Sequence, residues 1–274
     1  MNTALFYGER AMDEHEVKRI QTGLESIAVR AGGIVVRGAG QARKVTHKGR
    51  IDLVTETDFA VEEMLKDELA ALLPGSDFLA EETASSTEPG ELTWIIDPVD
   101  GTTNFANGLP FVATSIALWQ RDRVVLGVVN LPLLGELFSV REGGGALLNG
   151  APVTVSTEGA MEQALIATGF PYAIEEHLEP ILDRLKAVLP RVQGVRRVGA
   201  AALDLAYVAC GRYAGFYESA LRPWDTAAGW LLVREAGGRV TEYDSGKDYS
   251  LGAGTILATN GLVHRELSRL ICGG

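Results

Sequence analysis

Asp97 and Asp100 stand three residues apart in the stretch 94–105, W-I-I-D-P-V-D-G-T-T-N-F, with Gly101, Thr102 and Thr103 directly behind them. Two carboxylates placed this way across a turn can face one pocket. At about 4 Å and an effective dielectric near 20 they would repel by roughly 4 kcal/mol. A divalent cation with oxygen ligands offsets such a repulsion, and Gly101 lets the backbone come close to a ligand. The ordinary alternative is a solvated turn, where Asp-Pro and Asp-Gly are common. The Thr-Thr pair behind and the apolar strand ahead favour a metal-phosphate site. Pro98 is expected to keep Asp97 extended at the tip of that strand and to turn the chain.

Other acids could join this pair. Glu81 and Glu82 follow the predicted strand 78–80; a strand tip is usually just exposed, and these two matter only if it lies beside Asp97. Asp58 and Asp225 sit where helix N-caps belong, which is a sufficient role for either. A carboxylate at the positive end of a helix is also held rigidly, as a fixed ligand must be. Glu218 ends a predicted strand, as a surface acid or as a partner for a substrate hydroxyl. The basic residues Arg43, Lys44, His47, Lys48 and Arg50 read as a solvated loop. The sharper reading folds Lys48 back onto a phosphate.

Positioning these groups requires a framework, and the sequence predicts one. After a loose leader (1–12), a helix starts at Asp13, with Val17, Ile20, Leu24, Ile27 and Ala31 at helical spacing. Gly32-Gly33 is expected to stop it, leaving 34–36 as a short strand and 38–50 as a polar loop. A second helix follows Asp58, with Val61, Met64, Leu65, Leu69 and Leu72 on one face and Pro74-Gly75 at its end. Strands are expected over 78–80, 94–96, 111–118, 124–129 and 136–140. The second half reads as strand 164–168, helix 178–189, strand 196–198, helix 200–210, strand 215–218, a helix opened by Pro223-Trp224-Asp225, strands 239–241 and 255–258, and a terminal helix 264–271.

Composition sets outer limits. The 274 residues carry 22% charged and 46% hydrophobic side chains, a globular balance that can bury a sizeable core. A formal net charge of −11 argues against a nucleic-acid surface. Cys210 and Cys272 make neither a disulfide framework nor a zinc spacing. The first residues lack the apolar core of a signal peptide, and no apolar run nears membrane-span length. A soluble, reducing, cytoplasmic setting is expected.

Taken together, D-L-V-T-E-T-D (52–58), E-E-T (81–83), the central stretch 94–105, G-A-A-A-L-D-L-A-Y-V-A-C-G-R (199–212) and R-P-W-D-T-A-A-G (222–229) resemble the inositol monophosphatase family of magnesium-dependent, lithium-sensitive phosphatases, in the family's order and approximate spacing. The resemblance implies an α+β sugar-phosphatase fold, alternating layers of helix and mostly antiparallel sheet. It implies one domain over 1–274, with lobes of about 13–156 and 157–274, and a homodimer. Glu81, Asp97 and the carbonyl of Val99 resemble the first magnesium site; Asp97, Asp100 and Asp225 resemble the second; Glu81 helps with a third, looser ion. The amides of Gly101 and Thr102 would hold phosphate oxygens. Thr102 with Asp58 resembles the pair that orients the attacking water, and Glu218 with the backbone of Ala201 resembles the polyol contacts.

The implied activity is hydrolysis of inositol monophosphate or a related polyol phosphate by direct water attack, using two or three Mg2+ ions. Phosphate monoesters hydrolyse among the slowest of reactions, and two metals can activate a water and steady the leaving oxygen. This chain departs from the family at three places: His47 where a lysine is usual, Ala200 where Ser or Thr is usual, and Ala214 where Asp is common. The last puts inositol specificity in question. Fructose-1,6-bisphosphate, adenosine bisphosphate and NADP phosphatases are rival readings, as is a non-catalytic binding protein on this scaffold. An aspartyl-nucleophile phosphatase of D-x-D-x-T type is a further rival, but its acids are two apart and these are three.

Overall fold

A computed structural model describes residues 6–7, 10–39, 45–47, 53–171 and 174–273. Lys48 and Asp52 lie outside them, as does most of the basic loop. Near the start, β1 (Phe6–Tyr7) and β2 (Arg10–Ala11) pair antiparallel, so the leader is not wholly loose. The first helix, α1 (Glu14–Ala39), runs straight through Gly32-Gly33 and absorbs the strand expected at 34–36. Close packing explains the glycine. A Cβ on Gly32 would collide with the side-chain amide of Asn130, which donates to the carbonyl of Ala28 at 2.8 Å and ties the helix to the sheet beneath. A glycine pair therefore marks a close approach here, and the helix pays about 1 kcal/mol per glycine in propensity.

Beyond it, β3 (Val45–His47) pairs with β4 (Leu53–Thr55), where a plain loop was expected. Helix α2 (Glu56–Leu72) follows directly. Its N-cap is Thr55, not Asp58. Asp58 is the third helical residue and reaches back to accept the Thr55 N–H at 3.0 Å, completing a capping box.

A seven-stranded sheet comes next, containing β5 (Asp77–Ala80), β6 (Leu92–Asp100), β7 (Ala113–Gln120), β8 (Arg123–Leu131), β9 (Glu136–Arg141), β10 (Gly145–Leu148) and β11 (Ala151–Val153) in spatial order β11-β10-β9-β8-β7-β6-β5. Only β5 and β6 run parallel in it. Short helix α3 (Thr102–Ala106) leaves the end of β6. The second sheet, ordered β13-β12-β14-β16-β15, is built from β12 (Leu165–Thr168), β13 (Gly194–Arg196), β14 (Gly215–Ser219), β15 (Arg239–Thr241) and β16 (Thr255–Thr259). Its helices are α4 (Ile174–Val188), α5 (Ala201–Ala209), α6 (Pro223–Glu235) and α7 (His264–Cys272).

Strand alternation sorts the side chains into layers. Trp94, Ile96, Ile116 and Leu118 pack against Ile20, Leu24, Leu65 and Leu69 of α1 and α2. From the opposite face of the same sheet, Ile95, Ala117 and Val129 meet Leu203, Leu205, Leu231 and Leu232 of α5 and α6. Phe216 and Ala258 of the second sheet close that layer, while Ile166, Tyr217 and Leu257 face Val188, Leu267 and Ile271 outward. The order is helix, sheet, helix, sheet, helix: an α+β fold in alternating layers. Ala214 lies in the last apolar cluster, against such residues as Met161 and Val188.

Candidate active site

Strand β6 does not end at Asp97. It continues through Pro98 to Asp100, and its register against β7 slips between Asp97 (opposite Ser115) and Asp100 (opposite Ala113). Three residues on β6 thus span two on β7, a bulge with one extra residue. Without it, positions three apart would point to opposite faces. The bulge restores phase: Asp97 follows Ile95 onto the α5/α6 side, and Asp100 reaches the same side, where its Oδ2 accepts the Ala202 N–H at 2.7 Å. Pro98 suits a bulge because it has no N–H to leave unpaired; its carbonyl accepts from the Thr114 hydroxyl at 2.9 Å.

Glu81 arrives beside Asp97 by parallel pairing. Ala80 stands opposite Ile96, and the Glu81 N–H extends the ladder to the Ile96 carbonyl at 3.1 Å. The strand tip whose relevance the sequence left conditional therefore does lie at the Asp97 corner. Asp225 comes from the start of α6. It is not the N-cap, which is Arg222; it is the third helical residue, and its Oδ2 accepts the Arg222 N–H at 2.7 Å.

These acids feel one another strongly. Asp97 is buried and its carboxyl is pushed well above the usual range, first by burial, then by the charges of Glu81, Asp100 and Asp225, and by a hydrogen bond with Glu81. Asp100 is raised to about 7 by burial, against the opposing pull of the Ala202 amide. Asp225 is raised to about 7 by burial and by the charge of Asp100. Among the described residues no three His, Cys, Asp or Glu side chains are placed so that together they could hold an ion. The donor set is nevertheless four hard oxygen ligands that repel one another at a buried corner, which fits a divalent cation such as Mg2+.

Behind the acids lies the Asp58–Thr102 pair. Asp58 is fully buried; its Oδ2 accepts from the Thr55 N–H at 3.0 Å and the Thr55 hydroxyl at 2.5 Å, and its Oδ1 accepts from the Thr102 hydroxyl at 3.2 Å. Burial raises its carboxyl and the threonine bonds pull it back. The Thr102 hydroxyl also lies 3.0 Å from the Val99 carbonyl. Gly101 precedes α3 at φ 88°, and a Cβ there would sit 2.8 Å from the Phe111 carbonyl, so only glycine fits. Asn104 locks this turn to the loop before α5 by donating to the carbonyls of Phe111 (2.8 Å) and Val198 (3.0 Å).

On the other wall, Glu218 is the next-to-last residue of β14 and is raised to about 8 by burial and the charge of Asp225, with Arg197 opposing. The Ala201 amide faces Asp100 and helps hold it ionised. Sequence reasoning passed over three residues. Asp204 is fully buried in α5, neither carboxylate oxygen has a hydrogen-bond partner, and burial plus the charges of Glu218 and Asp100 push it well up. Arg197, over the Phe170 ring at 5.3 Å, supplies the opposing charge. Glu62, one turn after Asp58 in α2, is buried and binds the 82–83 corner. An acid within the apolar run 201–209 was the available signal for Asp204, whereas Glu62, next to Glu63 and four residues from both Asp58 and Lys66, carried none.

The family model described as "Inositol monophosphatase family" matches residues 16–273. An inositol-1-monophosphatase of Mesorhizobium japonicum is 41% identical over 247 residues, covering 89% of this chain and 92% of its own length. The crystal structure of the extragenic suppressor protein suhB from Bartonella henselae superposes with a TM-score of 0.86 at 39% identity, over 92% of this chain and 98% of that one. An inositol monophosphatase structure from Anabaena gives 0.84 at 35%, over 94% and 96%.

Proposed function

The chain belongs to the inositol monophosphatase family, and from that premise we propose that it is a Mg2+-dependent phosphomonoesterase acting on inositol monophosphate or a closely related polyol phosphate. The observation that carries the site assignment is the convergence of Glu81, Asp100 and Asp225 on buried Asp97. Glu81, Asp97, Asp100, Asp225 and the Val99 carbonyl would hold two or three ions, with Asp97 shared. When bound, these ions supply charge neutralisation of the phosphate and of the leaving oxygen.

The remaining work falls to residues of the chain. The Thr102 hydroxyl has two acceptors in reach, the Val99 carbonyl at 3.0 Å and Asp58 Oδ1 at 3.2 Å; with the carbonyl given over to an ion, its proton goes to Asp58 and the lone pairs of its oxygen are left toward the site. A water there is oriented for attack on phosphorus; as its oxygen bonds phosphorus and the ester P–O bond breaks, its proton passes to the Thr102 oxygen while Thr102 hands its own to Asp58, and the leaving alkoxide takes a proton from solvent. The amides of Gly101 and Thr102 hold phosphate oxygens. Glu218, whose carboxyl is raised chiefly by burial, can hydrogen-bond a substrate hydroxyl. Lys48 would be a further phosphate contact. Lithium sensitivity and a homodimer are part of the same proposal. Lobes 13–156 and 157–274 act as one unit, a reading supported by α5 and α6 packing on the seven-stranded sheet.

Phosphate release from a panel of inositol, sugar, adenosine-bisphosphate and NADP substrates, with and without Mg2+ and with lithium, tests this reading. No Mg2+-dependent release from any of them would refute it. Oxygen-18 from water should enter phosphate in a single turnover; label in an Asp97 carboxylate would instead support an aspartyl nucleophile.

A further inference from the structure

We propose that Glu62 is a positioning residue that holds Glu81 beside Asp97 and so sets how tightly the site takes a divalent cation; this rests on the metal reading above. Glu62 projects from α2 and is 2% exposed. Its Oε2 accepts the Glu82 N–H at 2.9 Å, and its Oε1 accepts from the Thr83 hydroxyl at 2.5 Å. Lys66, one turn along, pairs with Oε1 at 2.8 Å and also bonds the Thr83 hydroxyl. A buried carboxylate is expensive unless paired and hydrogen-bonded, and an apolar residue would secure the same helix more simply. What this ion pair grips is the chain corner 82–83, some twenty residues away.

Glu81 is the residue just before that corner. Its own N–H is fixed to the Ile96 carbonyl, and the next N–H is fixed to Glu62. Glu81 is thus held between two fixed amides, and its side chain hydrogen-bonds Asp97. Four residues earlier on the same face of α2, Asp58 bonds Thr102. A single helix therefore sends one buried carboxylate to the proposed water-orienting hydroxyl and another to the corner that bears a proposed metal ligand. Residues that orient metal ligands in this way typically change affinity 10–100-fold when altered.

The test is Mn2+ binding to the full chain near neutral pH, by electron paramagnetic resonance or calorimetry. It compares wild type, Glu62→Gln, Thr83→Val, Glu81→Gln and the exposed control Glu63→Gln. Glu62→Gln and Thr83→Val should bind Mn2+ about 10-fold more weakly. The Mg2+ concentration for half-maximal phosphate release should rise by the same factor, with substrate KM at saturating Mg2+ and the Glu63→Gln control unchanged. Thr83 is exposed, so Thr83→Val decides the matter even if Glu62→Gln does not fold. Wild-type Mn2+ affinity in Thr83→Val, or an equal loss in Glu63→Gln, overturns the proposal. If Glu81→Gln itself binds Mn2+ like wild type, the metal reading fails, and not merely the role of Glu62.

Discussion

Replacing Asp100 by Asn should stabilise the metal-free protein while abolishing turnover. Asp100 has its carboxyl raised from 3.8 to about 7, chiefly by burial. Between those values the native state keeps a proton that the unfolded chain has released. Stability from this group therefore falls as pH rises from about 4 through about 7, and is flat above. Above that window the ionised native carboxylate carries a cost of at most roughly 4 kcal/mol. Asn can still accept the Ala202 N–H, whose pull on the ionised form is already part of the raised value. It also removes one of the charges that raise Asp97 and Asp225. The net expectation in EDTA at about pH 8 is a gain of about 2–4 kcal/mol, or a Tm rise on the order of 3–7 °C. Near pH 4 the gain should vanish. Thermal and urea unfolding in EDTA at the two pH values, with phosphate release in Mg2+, reads all of this. Destabilisation at the higher pH would show that the acids do not strain one another, and near-normal turnover would remove Asp100 from the metal set.

Thr102→Val should fold normally and lower kcat by about 10²-fold or more, as expected for a group that positions and deprotonates the nucleophile, with little change in KM; unchanged kcat would refute the Asp58–Thr102 assignment. Gly101→Ala should lose about 1–3 kcal/mol by urea unfolding from its left-handed backbone, together with most activity because the amides it carries are displaced; full activity would exclude those amides from phosphate binding. Asp204→Asn should leave stability unchanged or raise it by about 1–2 kcal/mol in the metal-free protein, because neither oxygen has a partner to lose. A large loss of stability would reveal a partner for that carboxylate.

The chain's own letters determined the identities of the acids, the helical stripes, and the apolar runs of the central strands. These signals are local: periodicity over a few turns, a proline or glycine at a turn, an acid at a helix start. The ordered motifs from 52–58 to 222–229 also sufficed for the family. Tertiary structure decided what local signals cannot carry. Gly32-Gly33 looks like a stop until Asn130, distant in sequence, is seen to need the space. Asp58 and Asp225 look like caps and do bond the N-cap amides of Thr55 and Arg222, but from the third helical position, from which Asp58 also reaches Thr102 and Asp225 also feels Asp100. Asp97 and Asp100 share a face because β6 bulges against β7, a matter of pairing between strands and not of either strand alone. Glu81 meets Asp97 through parallel register with β5, and Asp204 and Glu62 become meaningful only once burial is known. A carboxylate's chemistry depends on the charges and solvent within a few ångströms of it, and which residues come that close is fixed by long-range packing.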